Sequence, residues 1–154
     1  MAEFPDGIVE ALIPLMETID GITQTVDRDP VPNDKNGTLG IAFLGWRSID
    51  HEMGQGHFGS AISVYEFRLT HLIKHSNRSD GLKEQRLVAR AIRSMLAHDP
   101  ASKVALLPQV HTNANYTERL KRWDVGGQEF ADDFIDKAFF FVSETQVTFQ
   151  TETV

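Results

Sequence analysis

The sequence predicts an α+β fold: a mainly antiparallel sheet of long strands packed against an N-terminal helix and a central helix at about residues 80–98. Three observations carry this prediction. In Lys137–Val154, Phe139, Phe141, Val147 and Phe149 share one parity, while Glu144, Gln146, Thr148 and Gln150 take the other. Successive side chains of a strand point to opposite faces, so this stretch reads as a strand with one buried and one wet face. Ala61–Ile73 alternates in the same way, Tyr65, Phe67 and Leu69 against Glu66, Arg68 and Thr70. Between them, Val88, Ala91, Ile92, Met95 and Leu96 recur at helical spacing, with Lys83, Arg86, Arg90 and Arg93 on the wet face. Helix, strands, helix, strands is an α+β order, and 154 residues fit one domain spanning 1–154. At about 3.3 Å per residue, Ala138–Gln150 alone reaches about 40 Å. A strand of that length needs a long partner, or an edge covered by another chain.

The elements follow in order. Ile8, Leu12, Leu15 and Ile19 form a helical stripe, and Gly21 stands where a left-handed residue ends a helix. Pro14 interrupts the stripe and predicts a kink, because proline lacks the N–H of the helical bond. Ile22–Val26 reads as a short strand, and the Pro, Asn, Asp and Gly of Asp27–Gly37 as a loop. Leu39, Ile41 and Phe43 share one parity and Ala42, Leu44 and Trp46 the other, so Leu39–Trp46 reads as a central strand covered on both faces. Gly54–Gly59 reads as a mobile loop, and Ala61–Ile73 as the hairpin partner of the strand before it. Ser79 is the expected cap of the central helix, and Asp99-Pro100 its stop. Past Pro100 the signal weakens. Val104–Leu107 suggests a short strand, Asn113–Leu120 a turn or helix, and Gly126-Gly127 a break; Phe130–Ile135 is apolar and acidic, with its type open.

Composition narrows the function. The apolar fraction of 41% and charged fraction of 24% are those of an ordinary globular protein. No run approaches the length of a membrane helix, so no membrane is expected. Glu3 and Asp6 occupy the place of a signal peptide's basic region. The lack of cysteine removes disulfides, thiolate catalysis and cysteine metal sites, and is compatible with a reducing cytoplasm. A net charge of −7 argues against a phosphate-gripping surface.

Chemistry-bearing residues are present without a recognisable site. His51-Glu52 and His57 invite a zinc reading, and with Asp132, Asp133 or Asp136 would make a small metal-dependent hydrolase. The two His are six apart in a Gly-rich stretch, however, where a zinc protease needs four on a helix. His71 and His75 fall on a strand and its exit, and read as surface residues. Gly54-Gln55-Gly56-His57-Phe58-Gly59 lacks the lysine of a phosphate loop. No metal or cofactor is implied. Aromatic residues are more telling. Phe139–Val142 is apolar on both parities and reads as buried on both sides, so Phe140 and Val142 are candidate assembly contacts. Phe58, with His57 beside it on the loop, and Trp46 are the others, although core packing explains Trp46 as well.

The pattern extends over most of the chain: the helix Ile8–Ile19 ending at a Gly, a short strand, the loop Asp29–Pro32, the strands Leu39–Trp46 and Ala61–Ile73, the helix Lys83–Leu96, and W-D-V-G-G-Q-E-F leading to a strand that ends in V-T-F-Q. In this order and texture the chain resembles the tail terminator (head–tail joining) proteins of long-tailed bacteriophages. Pro14 and the length of Pro100–Asp136 depart from that pattern. The resemblance implies a virion protein, made in the host cytoplasm, with no catalytic role. It would form a homo-oligomeric ring, typically a hexamer, that caps the tail tube protein and docks on a head connector or stopper protein. DNA would pass through its lumen without specific binding. Another neck or tail component, such as a stopper or tube subunit, belongs to the same class. A monomeric adaptor binding a peptide along a strand edge is the reading from a different class.

Overall fold

The computed structural model describes residues 4–50, 61–112 and 117–153. In chain order these form α1 (Asp6–Glu17), β1 (Gln24–Val26), β2 (Thr38–Asp50), β3 (Ala61–His75), α2 (Arg78–Ala97), α3 (Pro100–Leu106), β4 (Val110–Thr112), β5 (Thr117–Ile135) and β6 (Ala138–Thr153). Among the described residues the strands make a six-stranded sheet in the order β1-β2-β3-β6-β5-β4. Only β1 and β2 run parallel; every other pairing is antiparallel. The expected α+β class, with long antiparallel strands and helices near both expected positions, is therefore the observed one.

Cross-strand partners share a face, so the register shows what each side of the sheet carries. On one side lie Leu39 and Ile41 of β2, Phe67 and Leu69 of β3, Val147 and Phe149 of β6, and Leu120 of β5. The apolar stripes of α1 (Ile8, Leu12, Leu15, Met16) and α2 (Val88, Ile92, Leu96), with Leu106 of α3, close over them to form the core. Phe67 meets Phe149 edge-on at 5.5 Å between ring centroids. Full burial of such a side chain contributes roughly 1.5–3 kcal/mol. Gly81 lets the first turn of α2 lie against Phe141, because a Cβ there would stand 2.0 Å from the ring. Pro14 is accommodated inside α1 because both it and Glu10, whose carbonyl it leaves without a donor, face solvent.

The helix-free side is polar along much of its length, with Glu66, Arg68, Glu144, Gln146 and Thr148. Its β2–β3 end is covered by the loop after β1. Arg28 forks onto Asp34 at 2.8 and 2.7 Å, and Asp34 also accepts from the Val31 amide at 2.7 Å. These bonds, the Arg28 one foremost, hold the Asp34 carboxyl down at about 2. The folded loop lies directly on Gly40, where a Cβ would meet the Arg28 carbonyl and the Pro30 ring. Asn36 pins the loop's end by exchanging two hydrogen bonds with the Lys74 backbone, at 3.1 and 2.7 Å.

Several expectations are corrected. Leu39–Trp46 is covered only over its first part: Leu39 and Ile41 are buried, whereas Phe43, Leu44 and Trp46 are exposed. A bulge between Phe43 and Gly45 also resets the parity, so Trp46 pairs with Tyr65 and lies on the helix side rather than opposite it. The cap of α2 is Asn77, accepting from the Asp80 amide at 3.2 Å, and not Ser79. Asp99-Pro100 does more than stop α2. Asp99 caps α3 by accepting from the Ala101 amide at 2.9 Å, which makes Val104–Leu106 helical rather than strand. The Thr117–Leu120 part of the expected turn or helix is strand, and Asn113 lies outside the described residues. Gly126-Gly127 is a bulge within β5 rather than a break, and Phe130–Ile135 continues the same strand. The two-sided burial expected of Phe139–Val142 is incomplete: Phe141 is buried, but Phe139, Phe140 and Val142 are only half so.

Candidate assembly surface

Among the described residues the sheet is broader than the helices above it, and two of its corners have no strand beside them. The first is the far half of β2. β1 pairs only with Thr38–Gly40, and beyond that point no described strand adjoins the outer edge of β2. Here Phe43, Leu44 and Trp46 stand out, Trp46 with 57% of its surface exposed. Phe43 retains a ring contact with Phe67 at 5.4 Å. The second corner is the far half of β5. β4 pairs with Thr117–Arg119, and the Leu120 amide donates to the Gln109 carbonyl at 3.2 Å. Past Leu120 no residue of β5 is buried, and no described strand pairs with its outer edge.

The β5 corner ends in a hairpin whose two-residue turn is Asp136-Lys137, with φ of 50° and 67°. Positive φ at both positions is what a tight type I′ turn requires, although neither residue is glycine. Phe130 and Phe134, 51% and 57% exposed, lie on the helix side of the sheet but beyond the helices. Phe134 rests on Phe139 at 4.7 Å. Polar contacts between α2 and β5 brace this arm. Gln85 donates to the Ala131 and Val142 carbonyls at 3.2 and 2.8 Å, Gln128 to the Ala89 carbonyl at 2.9 Å, and Arg78 pairs with Asp132 at 3.0 Å.

The residues singled out in the sequence are distributed as follows. Trp46 stands on the β2 corner. Phe140 and Val142 lie at the other end of the sheet on the helix-free side, where Lys74 Nζ sits 5.8 Å from the Phe140 ring centre. The structure does not bring Trp46 together with them. His51, Glu52, His57 and Phe58 lie outside the described residues, as does Gly54–Gly59. Asp132, Asp133 and Asp136 diverge: Asp132 turns to Arg78, Asp133 lies on the other face and accepts from the Phe134 amide, and Asp136 is in the turn. Sequence reasoning missed Phe43, Leu44, Phe130, Phe134 and Ile135 as exposed apolar residues. Counting one extra residue at Gly126-Gly127 places Trp123, Val125, Phe130 and Phe134 on one face, and that was the available signal.

His71 is corrected from a surface residue to a core one. It is fully buried, with Nε2 3.1 Å from the Gly21 carbonyl. Burial pushes its pKa down to about 4, against the opposing pull of the Gly21 and Gly37 carbonyls. His75 accepts from the Asn77 amide at 3.0 Å next to the α2 cap. Glu118, also buried, accepts from Tyr65 Oη at 2.9 Å and from the Thr151 hydroxyl. These contacts tie β5, β3 and β6 together. A cleft of about 370 Å³ between α2, α3 and β5 has basic walls and Trp123 within it. Its groups are also tied down: Trp123 donates to the Leu96 carbonyl at 2.7 Å, Arg93 to the Gly126 carbonyl at 2.9 Å, and Lys121 pairs with Glu152 at 2.8 Å. Among the described residues no three His, Asp or Glu gather as metal ligands, and no helix is long and apolar enough to cross a membrane.

No family model matches the chain, and no curated protein matches it. Among solved structures it is similar to a chain from the virion of a native gene transfer agent (GTA) particle, at 10% identity over 98% of both chains with a TM-score of 0.41. A likeness at that level carries no argument about function.

Proposed function

We propose that this protein is a structural virion subunit that assembles with copies of itself into a ring, typically a hexamer, ending a phage tail tube and joining it to the head connector. The observation that carries the reading is the pair of bare sheet corners, each with an open strand edge and exposed aromatic residues. Monomeric proteins blunt or cover long strand edges, because an exposed edge is a template for another chain. Exposed aromatic clusters of this kind mark interaction sites. The order of elements that resembles tail terminators supplies the particular role. In such a ring the helix-free side faces the DNA passage; there Glu66, Asp124 and Glu144 are interspersed with Arg47, Arg68 and Arg122, which leaves no purely basic row to grip phosphates. Trp46, Phe140 and Val142, with His57 and Phe58, are its contacts to neighbours and to adjoining rings.

Electron microscopy of the protein mixed with phage tail tubes tests this. A ring seated on one end of each tube is the expected result. Bare tube ends overturn the role as terminator, and open-ended growth of the protein into tubes of its own shows a tube subunit instead. Light scattering after size-exclusion chromatography gives the copy number, for which about six is expected.

A further inference from the structure

We infer that copies of this chain join head to tail through the two bare corners, the β5 edge of one copy pairing antiparallel with the β2 edge of the next. This rests on reading the chain as an assembling subunit, and it names the partner of each edge.

Four features converge on that pairing. The first is position. The β2 edge is closed by β1 at Thr38–Gly40 and open beyond, while the β5 edge is closed by β4 at Thr117–Arg119 and open beyond. In the register of the sheet, Phe43 is level with Val125 through Phe67 and Val147, and the open part of β5 runs away from it toward Ile135. The openings are thus at diagonally opposite corners, as a head-to-tail contact needs. Polarity is the second feature. Strands β2, β3, β6 and β5 alternate in direction. A copy moved sideways without being turned over therefore sets its β2 antiparallel to β5, the more stable of the two pairings.

Side chains make the third feature. Phe43, Trp46, Phe130 and Phe134 all project on the helix side, so the junction gathers them into one row, as aromatic pairs across strands prefer. The fourth is charge. The β5 corner exposes Glu129, Asp133 and Asp136, and the β2 corner Arg47. Two β5 edges placed together would oppose acidic rows, whereas β5 against β2 brings Arg47 to them. The contact is accordingly heterologous and not two-fold. Because the openings are diagonal, neighbours must be offset along the strands by roughly six residues, about 20 Å. In a closed sheet such an offset tilts the strands against the axis, and that tilt allows a barrel to close.

The absence of cysteine makes a direct test available. With that offset Trp46 stands opposite Phe130, and Trp46→Cys and Phe130→Cys replace exposed side chains, so both variants should keep the circular dichroism of the parent. Under mild oxidation the double variant should form a ladder of covalent multimers. Each single variant alone should stay uncross-linked, and the two mixed should give a covalent dimer only. Arg47→Glu should weaken assembly about tenfold, and Arg47→Glu with Glu129→Lys, the residue opposite it at that offset, should recover most of it. Hydrogen exchange on the unmodified protein should show protection at 41–48 and 122–135 gained together on assembly. Cross-linking of either single variant with itself overturns the head-to-tail contact. So does a chain that stays monomeric and uncross-linked up to about 1 mM. Rings that form without the ladder overturn the edge pairing and leave the ring reading standing. A ladder from a protein that never caps tail tubes supports the edge pairing and overturns the role in the tail.

Discussion

Strands β3 and β5 are both long, 15 and 19 residues, yet they are built on opposite terms. β3 has a full-length neighbour on each side and pairs with β6 without a break in register. Its helix-side residues Tyr65, Phe67, Leu69, His71 and Ile73 are buried, and even Val64 and Leu72 on the other side are covered. β5 slips register twice against its one long neighbour and buries nothing past Leu120. The difference teaches that strand length here does not measure core. β3 is long because the core and two neighbours hold it; the outer part of β5 is long because β6 templates it and α2 props it with polar struts. Regions with few buried apolar contacts open at low free-energy cost, so one strand carries stability and the other carries surface.

The largest test of that contrast is Phe67→Ala, which should cost about 3–5 kcal/mol in urea unfolding, a large part of a domain's total stability. An equal loss from a β5-corner residue such as Phe134 would break the comparison. Next in size is pH. The folded chain holds His71 neutral with a pKa of about 4, and the unfolded chain protonates it near 6.5. The unfolded state therefore binds the proton more readily between those values. This contribution, about 3 kcal/mol, is complete above pH 6.5, shrinks as pH falls and is gone below pH 4. Denaturant titrations from pH 7 to 4 should show a steeper loss in the parent than in His71→Asn; parallel curves would show that His71 does not titrate with folding. Phe134→Ala should change stability by less than about 1 kcal/mol while weakening self-association, as measured by urea melts beside sedimentation. The smallest effect is at the hairpin turn. Asp136→Asn with Lys137→Gly gives the positive-φ positions residues that favour them, and should raise the melting free energy by about 0.5–1 kcal/mol with no change in the β3 region.

How much was legible in the sequence differs along the same divide. β3, β6 and α2 were read nearly to their ends, because Tyr65-x-Phe67-x-Leu69, Val147-x-Phe149 and the Val88–Leu96 stripe alternate at the period of the element they form. β5 was not recognised, because bulges at Lys121 and Gly126-Gly127 shift its parity and its exposed face carries charges beside Phe130 and Phe134. Trp46 was given the wrong face for the same reason: the bulge at Leu44 adds one residue, and one residue turns every later side chain over. His71 reads as a surface group in the sequence because nothing local shows that the Gly21 turn lies against it.

The sequence by itself determined the class of fold, the long antiparallel strands and the two helices expected against them, since those follow from periodicities that a local segment expresses in full. Only the tertiary structure decided which strands became edges, and where those edges are bare. An edge is defined by what does not pair with it, and that depends on β1 and β4 stopping after three residues each. No segment of β2 or β5 encodes the length of its neighbour.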